Sequence, residues 1–292
     1  MSDRELVEPE EEHGLSRRDL FIKGGVLAAG GATLLGTPVA AATAATRRAQ
    51  AKLSFAVVTH GSGDVFWAVV HKGVNKAASD LGISATYSES FNNPQKQAQL
   101  IDTAVAKKPK GIAVSAPNPS AIKDALGRAK RAGVPIITLN SGADQFKALG
   151  AITHVGQTET IAGQAAGAKL AGTGAKHLLV IIHEQGNAGL EQRFSGAKST
   201  FKRSVTRLQV KGVSDVATST NQIRTKLQAD KSIDAILSLN PQMAIAARDA
   251  AKGVSSKAKI GTFDLSSGTN GSRMSDCSPG CSSAPRSARW SA

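Results

Sequence analysis

From Leu53 onward, short apolar runs alternate with amphipathic stretches, the pattern of successive strand–helix units around a parallel sheet. The runs predict strands at Leu53–His60, Ser84–Ser88, Gly111–Ser115, Pro135–Leu139, His177–His183, Leu208–Val213, Ala235–Leu239 and Lys259–Phe263. After the first of them, Phe66, Val69, Val70, Gly73, Val74, Ala77, Ala78 and Leu81 recur at helical spacing, which predicts one helix face laid on a sheet. Asn93-Pro94, Asn118-Pro119 and Asn240-Pro241 each follow a strand or its loop. Each pairs an amide able to cap with a proline suited to the first turn, so each predicts a helix start. The rhythm lapses from Gly142 to Ile152, and a boundary between two lobes is expected there, giving 45–142 and 143–266.

Both ends depart from this pattern. Gly24 to Val39 is uncharged and rich in Gly and Ala, too short and too weakly apolar for a membrane span of roughly 20 residues. It follows Ser16-Arg17-Arg18-Asp19-Leu20-Phe21-Ile22-Lys23 and leads to small residues at Ala40, Ala42 and Ala44. The arrangement resembles a twin-arginine export signal. That resemblance implies removal of residues 1–44, a translocase as partner during export, and a mature protein in the periplasm, outside the cell or in the cell envelope. No second apolar run reaches membrane length, so stable membrane insertion is not expected. At the other end, 267–292 is mostly Ser, Gly, Pro, Ala and Arg without helical or strand periodicity, and reads as a disordered, atypical tail.

With 41% hydrophobic and 20% charged residues, the body reads as soluble and globular. The net charge of +14 understates its basicity, because residues 1–44 carry four Lys/Arg against seven Asp/Glu. The basic residues are scattered singly and in pairs such as Lys107-Lys108, Lys130-Arg131 and Lys202-Arg203, without the aromatic interleaving that stacks bases. A solvated basic surface is expected, not a nucleic-acid footprint. The two cysteines, Cys277 and Cys281, both lie in the tail, so the body folds without a disulfide.

Cofactor and hydrolytic motifs fail on spacing. His60-Gly61-Ser62-Gly63-Asp64 suggests a dinucleotide turn, but Phe66 stands where the third glycine belongs. Gly163, Gly167 and Lys169 have the wrong spacing for a phosphate loop and read better as small residues of a helix packed closely on a sheet. There is no Gly-x-Ser-x-Gly elbow and no metal-ligand pair, so no catalytic residue, metal or cofactor is expected. His183-Glu184 has acid–base potential, yet a strand-end pair of this kind more often binds a polar ligand or caps a helix. In open α/β sheets ligands bind at the carboxyl ends of the strands. There the chain places Thr59, His60, Ser62, Asp64, Ser115, Asn140-Ser141, His183-Glu184, Asn240 and Asp264, with Phe66 and Trp67 nearby. Hydrogen-bonding groups beside aromatic rings suit a sugar, whose hydroxyls donate and accept and whose C–H faces pack on rings. Asp64 serves equally as a helix cap and Phe66 equally as core.

The chain resembles the type I periplasmic sugar-binding proteins of the ribose- and galactose-binding kind, which deliver ligand to ABC importers. The likeness rests on Asp64-Val65-Phe66-Trp67, Asn92-Asn93-Pro94-Gln95-Lys96-Gln97, Gly133 through Asn140, Val155-Gly156-Gln157, Arg193, Leu239 through Ala244 and Gly261-Thr262-Phe263-Asp264. It implies two Rossmann-like α/β lobes with parallel sheets, joined by a hinge and closing over ligand. Asp64, Phe66, Trp67, Ser115 and Asn140 would face the ligand from the first lobe, and Arg193, Asn240 and Asp264 from the second. It implies a non-enzymatic solute-binding protein for a monosaccharide or polyol, with an ABC permease as partner. The alternatives are a lactose-repressor-like regulator, disfavoured by the export signal, and an exported hydrolase. Asn140-Ser141 replaces the Asp-Arg of ribose-type sites, which points away from ribose and toward another monosaccharide, a polyol or a cyclitol. The family pattern continues past Asp264 where this chain has its atypical tail. Missing C-terminal elements, an incomplete second lobe and weak binding are therefore expected.

Overall fold

The computed structural model describes residues 53–61, 63–264 and 266. Both the export-signal and the tail expectations lie outside these residues. Two wholly parallel sheets organise the chain, as the strand–helix alternation predicts. The first has the order β2-β1-β3-β4-β5, from β1 (Ser54–Thr59), β2 (Ser84–Glu89), β3 (Ile112–Ser115), β4 (Ile136–Leu139) and β5 (Thr153–Val155). The second has the order β7-β6-β8-β9, from β6 (His177–Ile182), β7 (Ser204–Gln209), β8 (Ala235–Ser238) and β9 (Lys259–Thr262). The connecting helices are α1 (Val65–Leu81), α2 (Pro94–Ala106), α3 (Pro119–Arg131), α4 (Glu159–Gly172), α5 (Ala188–Phe201), α6 (Val216–Ala229) and α7 (Pro241–Gly253).

The Asn-Pro starts form as their chemistry predicts. Asn93, Asn118 and Asn240 accept from the backbone N–H groups of Lys96, Ala121 and Met243, satisfying donors that a helix N-terminus leaves open. One core joins Ala56, Val58, Ile112, Val114 and Ile136 of the first sheet to Ile101, Ile122 and Leu126 of α2 and α3. In the second sheet α6 and α7 cover one face around Leu179, Ile181, Ile223, Ile236 and Met243, while Leu178, Val180, Ile182 and Leu237 pack with Ala197 and Phe201. Sheets buried on both faces read as continuous apolar runs, which is why Leu178 to Ile182 was so plain.

Four expectations need correction. The strand expected at Leu208–Val213 occupies Ser204–Gln209 instead, since Gly212 takes a positive φ and opens a 3₁₀ turn at Gly212–Asp215. Thr153–Val155 forms a strand where no apolar run predicts one, so the first sheet extends past Gly142 to Val155. Helix α1 buries Trp67 and half-buries Phe66, Val70, Val74 and Ala78, but leaves Val69 and Leu81 exposed, a narrower contact than its periodicity implied. Finally, Gly163 and Gly167 face a helix and not a sheet: a Cβ at either would strike the α5 backbone at Arg193 or Ala197. Gly196 of α5 returns the contact against Thr160.

Candidate ligand-binding site

Each sheet has a point where successive strands begin to be added on the opposite side, between β1 and β3 in the first and between β6 and β8 in the second. Crossover helices diverge there and leave a crevice at the strands' carboxyl ends. The loops after β1, β4, β6, β8 and β9 converge on one cavity of about 500 Å³, lined among others by His60, Asp64, Asn140, His183, Glu184, Asn240 and Asp264.

On the first-sheet side, Asp64 caps its helix and also reaches across to the second sheet. One carboxylate oxygen accepts from the Trp67 N–H at 3.0 Å and caps α1, while the other accepts from the Asn240 amide at 3.3 Å, across from the second sheet. Burial raises its pKa, a push reinforced by Glu184 and opposed by the Trp67 N–H. Trp67 meets the rings of His60 and Phe66 edge-on, each with centroids 5.0 Å apart, and all three line the cavity. Asn140 closes β4 with a left-handed backbone at φ 59°, a conformation that Asn tolerates better than most residues, and accepts from the Ser141 hydroxyl at 2.8 Å.

The second-sheet side is organised by Arg193. From α5 its guanidinium reaches Glu159 in the first turn of α4, donating Nε to one oxygen and Nη2 to the other at 3.2 Å. The fork matches a carboxylate, and the first turn of a helix also favours negative charge. The glycine contacts between α4 and α5 let the helices approach closely enough for this pair to form. Phe263 covers the guanidinium at 4.5 Å from its ring centroid. Asp264, left-handed at φ 62°, follows at the cavity mouth, its pKa raised by the surrounding protein and by Glu159 and pulled down by Arg193.

Between the two sides runs a polar seam. His60 Nε2 lies 3.3 Å from Glu184 Oε2, and the same oxygen accepts from the Asn187 amide at 2.6 Å. Burial alone would raise the Glu184 pKa, but the His60 contact, the charges of His60 and His183 and the Asn187 amide hold it down to about 2. Burial lowers His183 to about 4, with Glu184 opposing and Arg193 and His60 adding to the shift. The Ala188 N–H donates to the Pro117 carbonyl at 2.9 Å and Gln192 to Asp144 at 2.6 Å, so the seam extends beyond the cavity.

Every expected ligand residue except Ser115 lines the cavity. Ser115 is fully buried behind it, its hydroxyl 2.8 Å from the His60 N–H and 2.7 Å from the ring Nδ1. It holds His60 in place. His60, Ser141, His183 and Glu184, noted at strand ends, line the cavity as well, and so do Gln157, Glu159 and Asn187, for which no ligand role was expected. Glu159 gave no signal, because a glutamate opening a helix is ordinary. Among the described residues no cluster suits a metal ion, and no helix is long and apolar enough to cross a membrane.

Two switch-point crevices open on one polar cavity with aromatic walls, the architecture of a two-sheet α/β binding protein. Residues 55–270 match the periplasmic binding protein domain, and the chain belongs to that family. It is 27% identical to the ribose import binding protein of Escherichia coli K12 over 225 residues, 74% of this chain and 73% of that protein. It is 28% identical to the D-allose-binding periplasmic protein of the same organism over 226 residues, 72% and 71% of the two chains. A carbohydrate transporter from Acidothermus cellulolyticus 11B, solved in complex with myo-inositol, is 41% identical with a TM-score of 0.71, covering 73% of this chain and 74% of that one. These relatives are sugar-binding transport proteins and not enzymes, which sets the hydrolase alternative aside.

Proposed function

We propose that this chain is the extracytoplasmic solute-binding component of an ABC importer, exported by the twin-arginine route and handing its ligand to a membrane permease. The ligand is a monosaccharide, polyol or cyclitol. The observation that carries this reading is the cavity itself, where Asp64 and Asn140 from one sheet and Arg193, Asn240 and Asp264 from the other face each other beside Phe66 and Trp67. Paired acceptors and donors around a ring-sized space suit vicinal hydroxyls, and the aromatic walls suit C–H faces. Asn140-Ser141 at the end of β4 supports a cyclitol or hexose ahead of ribose, and the likeness to a protein that holds myo-inositol favours the same choice. We place the signal at residues 1–44 and the passage between lobes at 156–158, after β5.

Titration of the purified chain with myo-inositol, D-allose and D-ribose, followed by calorimetry and Trp67 fluorescence, tests the reading. Binding to myo-inositol ahead of ribose supports it; binding to none of a panel of monosaccharides and polyols removes it. Cell fractionation tests the address: accumulation of processed chain outside the cytoplasm, lost on Arg17→Lys with Arg18→Lys, is the expected result.

A further inference from the structure

Among the described residues, four carboxylates but only one guanidinium line the cavity. Arg193 is committed to Glu159, and Glu184 has His60 at 3.3 Å and the Asn187 amide at 2.6 Å. Asp64 and Asp264 have no cationic side chain within ion-pair distance among the described residues. Asp64 is only 8% exposed and accepts from two neutral donors, the Trp67 N–H and the Asn240 amide. Burial raises Asp64, with Glu184 adding to the rise and the Trp67 N–H opposing it, while the exposed Asp264 is raised by the surrounding protein and by Glu159 and pulled down by Arg193.

His183 is the independent observation. It lines the same cavity, is 8% exposed, and its Nδ1 has no hydrogen-bond partner. Held neutral by burial, it adds hydrogen-bonding capacity without adding positive charge. The cavity is thus negative inside a chain of net charge +14, so its sign does not follow from the composition. A hydroxyl satisfies the buried Asp64 carboxylate only by donating a hydrogen bond, whereas a bound ammonium donates and also offsets its charge.

We propose that the ligand is a polyhydroxylated ring carrying an ammonium group, an amino-cyclitol or amino sugar, with the ammonium beside Asp64 and Glu184. The proposal rests on the polyol reading above and narrows it. The hydroxyls remain for Asn140, Arg193 and Asn240, and the ring for Phe66 and Trp67.

Calorimetry on the full chain compares scyllo-inositol with scyllo-inosamine, and D-glucose with D-glucosamine and N-acetyl-D-glucosamine. The expected result is that an amine binds at least about tenfold tighter than its hydroxyl counterpart, the scale of one charge-assisted hydrogen bond. N-acetylation should abolish the preference, and added salt should weaken the amine more than the neutral ligand. Asp64→Asn keeps a side chain able to cap α1 and should cut the preference to below about threefold. Neutral ligands binding as tightly as amines, or a preference that survives Asp64→Asn, overturns the proposal and leaves the polyol reading standing. Failure of every ligand to bind removes both.

Discussion

His60 and Glu184 meet at 3.3 Å although one closes β1 and the other follows β6. Each is positioned from behind, His60 by the Ser115 hydroxyl and Glu184 by the Asn187 amide, which also caps α5. The contact therefore couples two switch points through side chains that have little freedom to part.

The Glu184 carboxyl gives that coupling a pH signature. Its pKa falls from 4.5 to about 2 in the folded chain, so the unfolded state takes up a proton first as pH drops. The stabilisation is complete above the unfolded value and disappears as pH falls through the folded one. Glu184→Gln should lower stability at pH 6 to 7 by about 1–3 kcal/mol, since it leaves the seam without its charge. Thermal melts of both proteins should converge as pH approaches 2; a constant gap down to that pH would refute the assignment.

His183 acts in a separate window. Its pKa drops from 6.5 to about 4, so between those values the unfolded chain binds the extra proton and stability rises with pH. Wild-type stability should fall from pH 6.5 to 4 by up to about 3 kcal/mol from this group. His183→Gln should flatten that slope and, because the His183 charge helps hold Glu184 down, raise the lower end of the Glu184 window. Equal slopes in the two proteins would show that the imidazole is not shielded as described.

These two residues also show how far the sequence could be read. Strand ends were legible because apolar runs stop where polar residues start, so Asp64, Asn140, Asn240 and Asp264 were found together with their helix caps. Ser115 stands out for the same reason, since it ends β3 as Asn140 follows β4, and only the geometry shows its hydroxyl turned toward His60. Glu159 was invisible because its importance comes from Arg193, 34 residues away, and from a helix contact that no local pattern encodes. Thr153–Val155 escaped because a three-residue edge strand has too few positions to show alternation.

The glycine contact between α4 and α5 should be intolerant of added volume. A Cβ at Gly163 would strike the Arg193 backbone, and one at Gly196 the backbone of Thr160, so neither neighbour can yield as a flexible side chain would. Gly163→Ala should destabilise the chain by about 1–3 kcal/mol despite the better helix propensity of alanine. Because the shifted helices carry Glu159 and Arg193, ligand affinity should fall as well. Gly172→Ala, at the end of α4 with nothing within 4 Å of the added methyl, is the control and should not destabilise.

Arg193 has two duties, and a pair of variants separates them. Arg193→Ala strands Glu159, which is 3% exposed, as a buried carboxylate without its partner and should cost about 3–5 kcal/mol. Replacing both partners, Arg193→Met with Glu159→Leu, removes the orphaned charge and should recover most of that stability, since buried ion pairs exchange for apolar residues at little net cost. Ligand binding should be lost in both variants, because the guanidinium supplies donors toward the cavity that neither replacement offers. Denaturant melts and calorimetry on the same preparations decide between the duties. Recovery of binding together with stability in the double variant would reduce Arg193 to a structural counter-ion for Glu159.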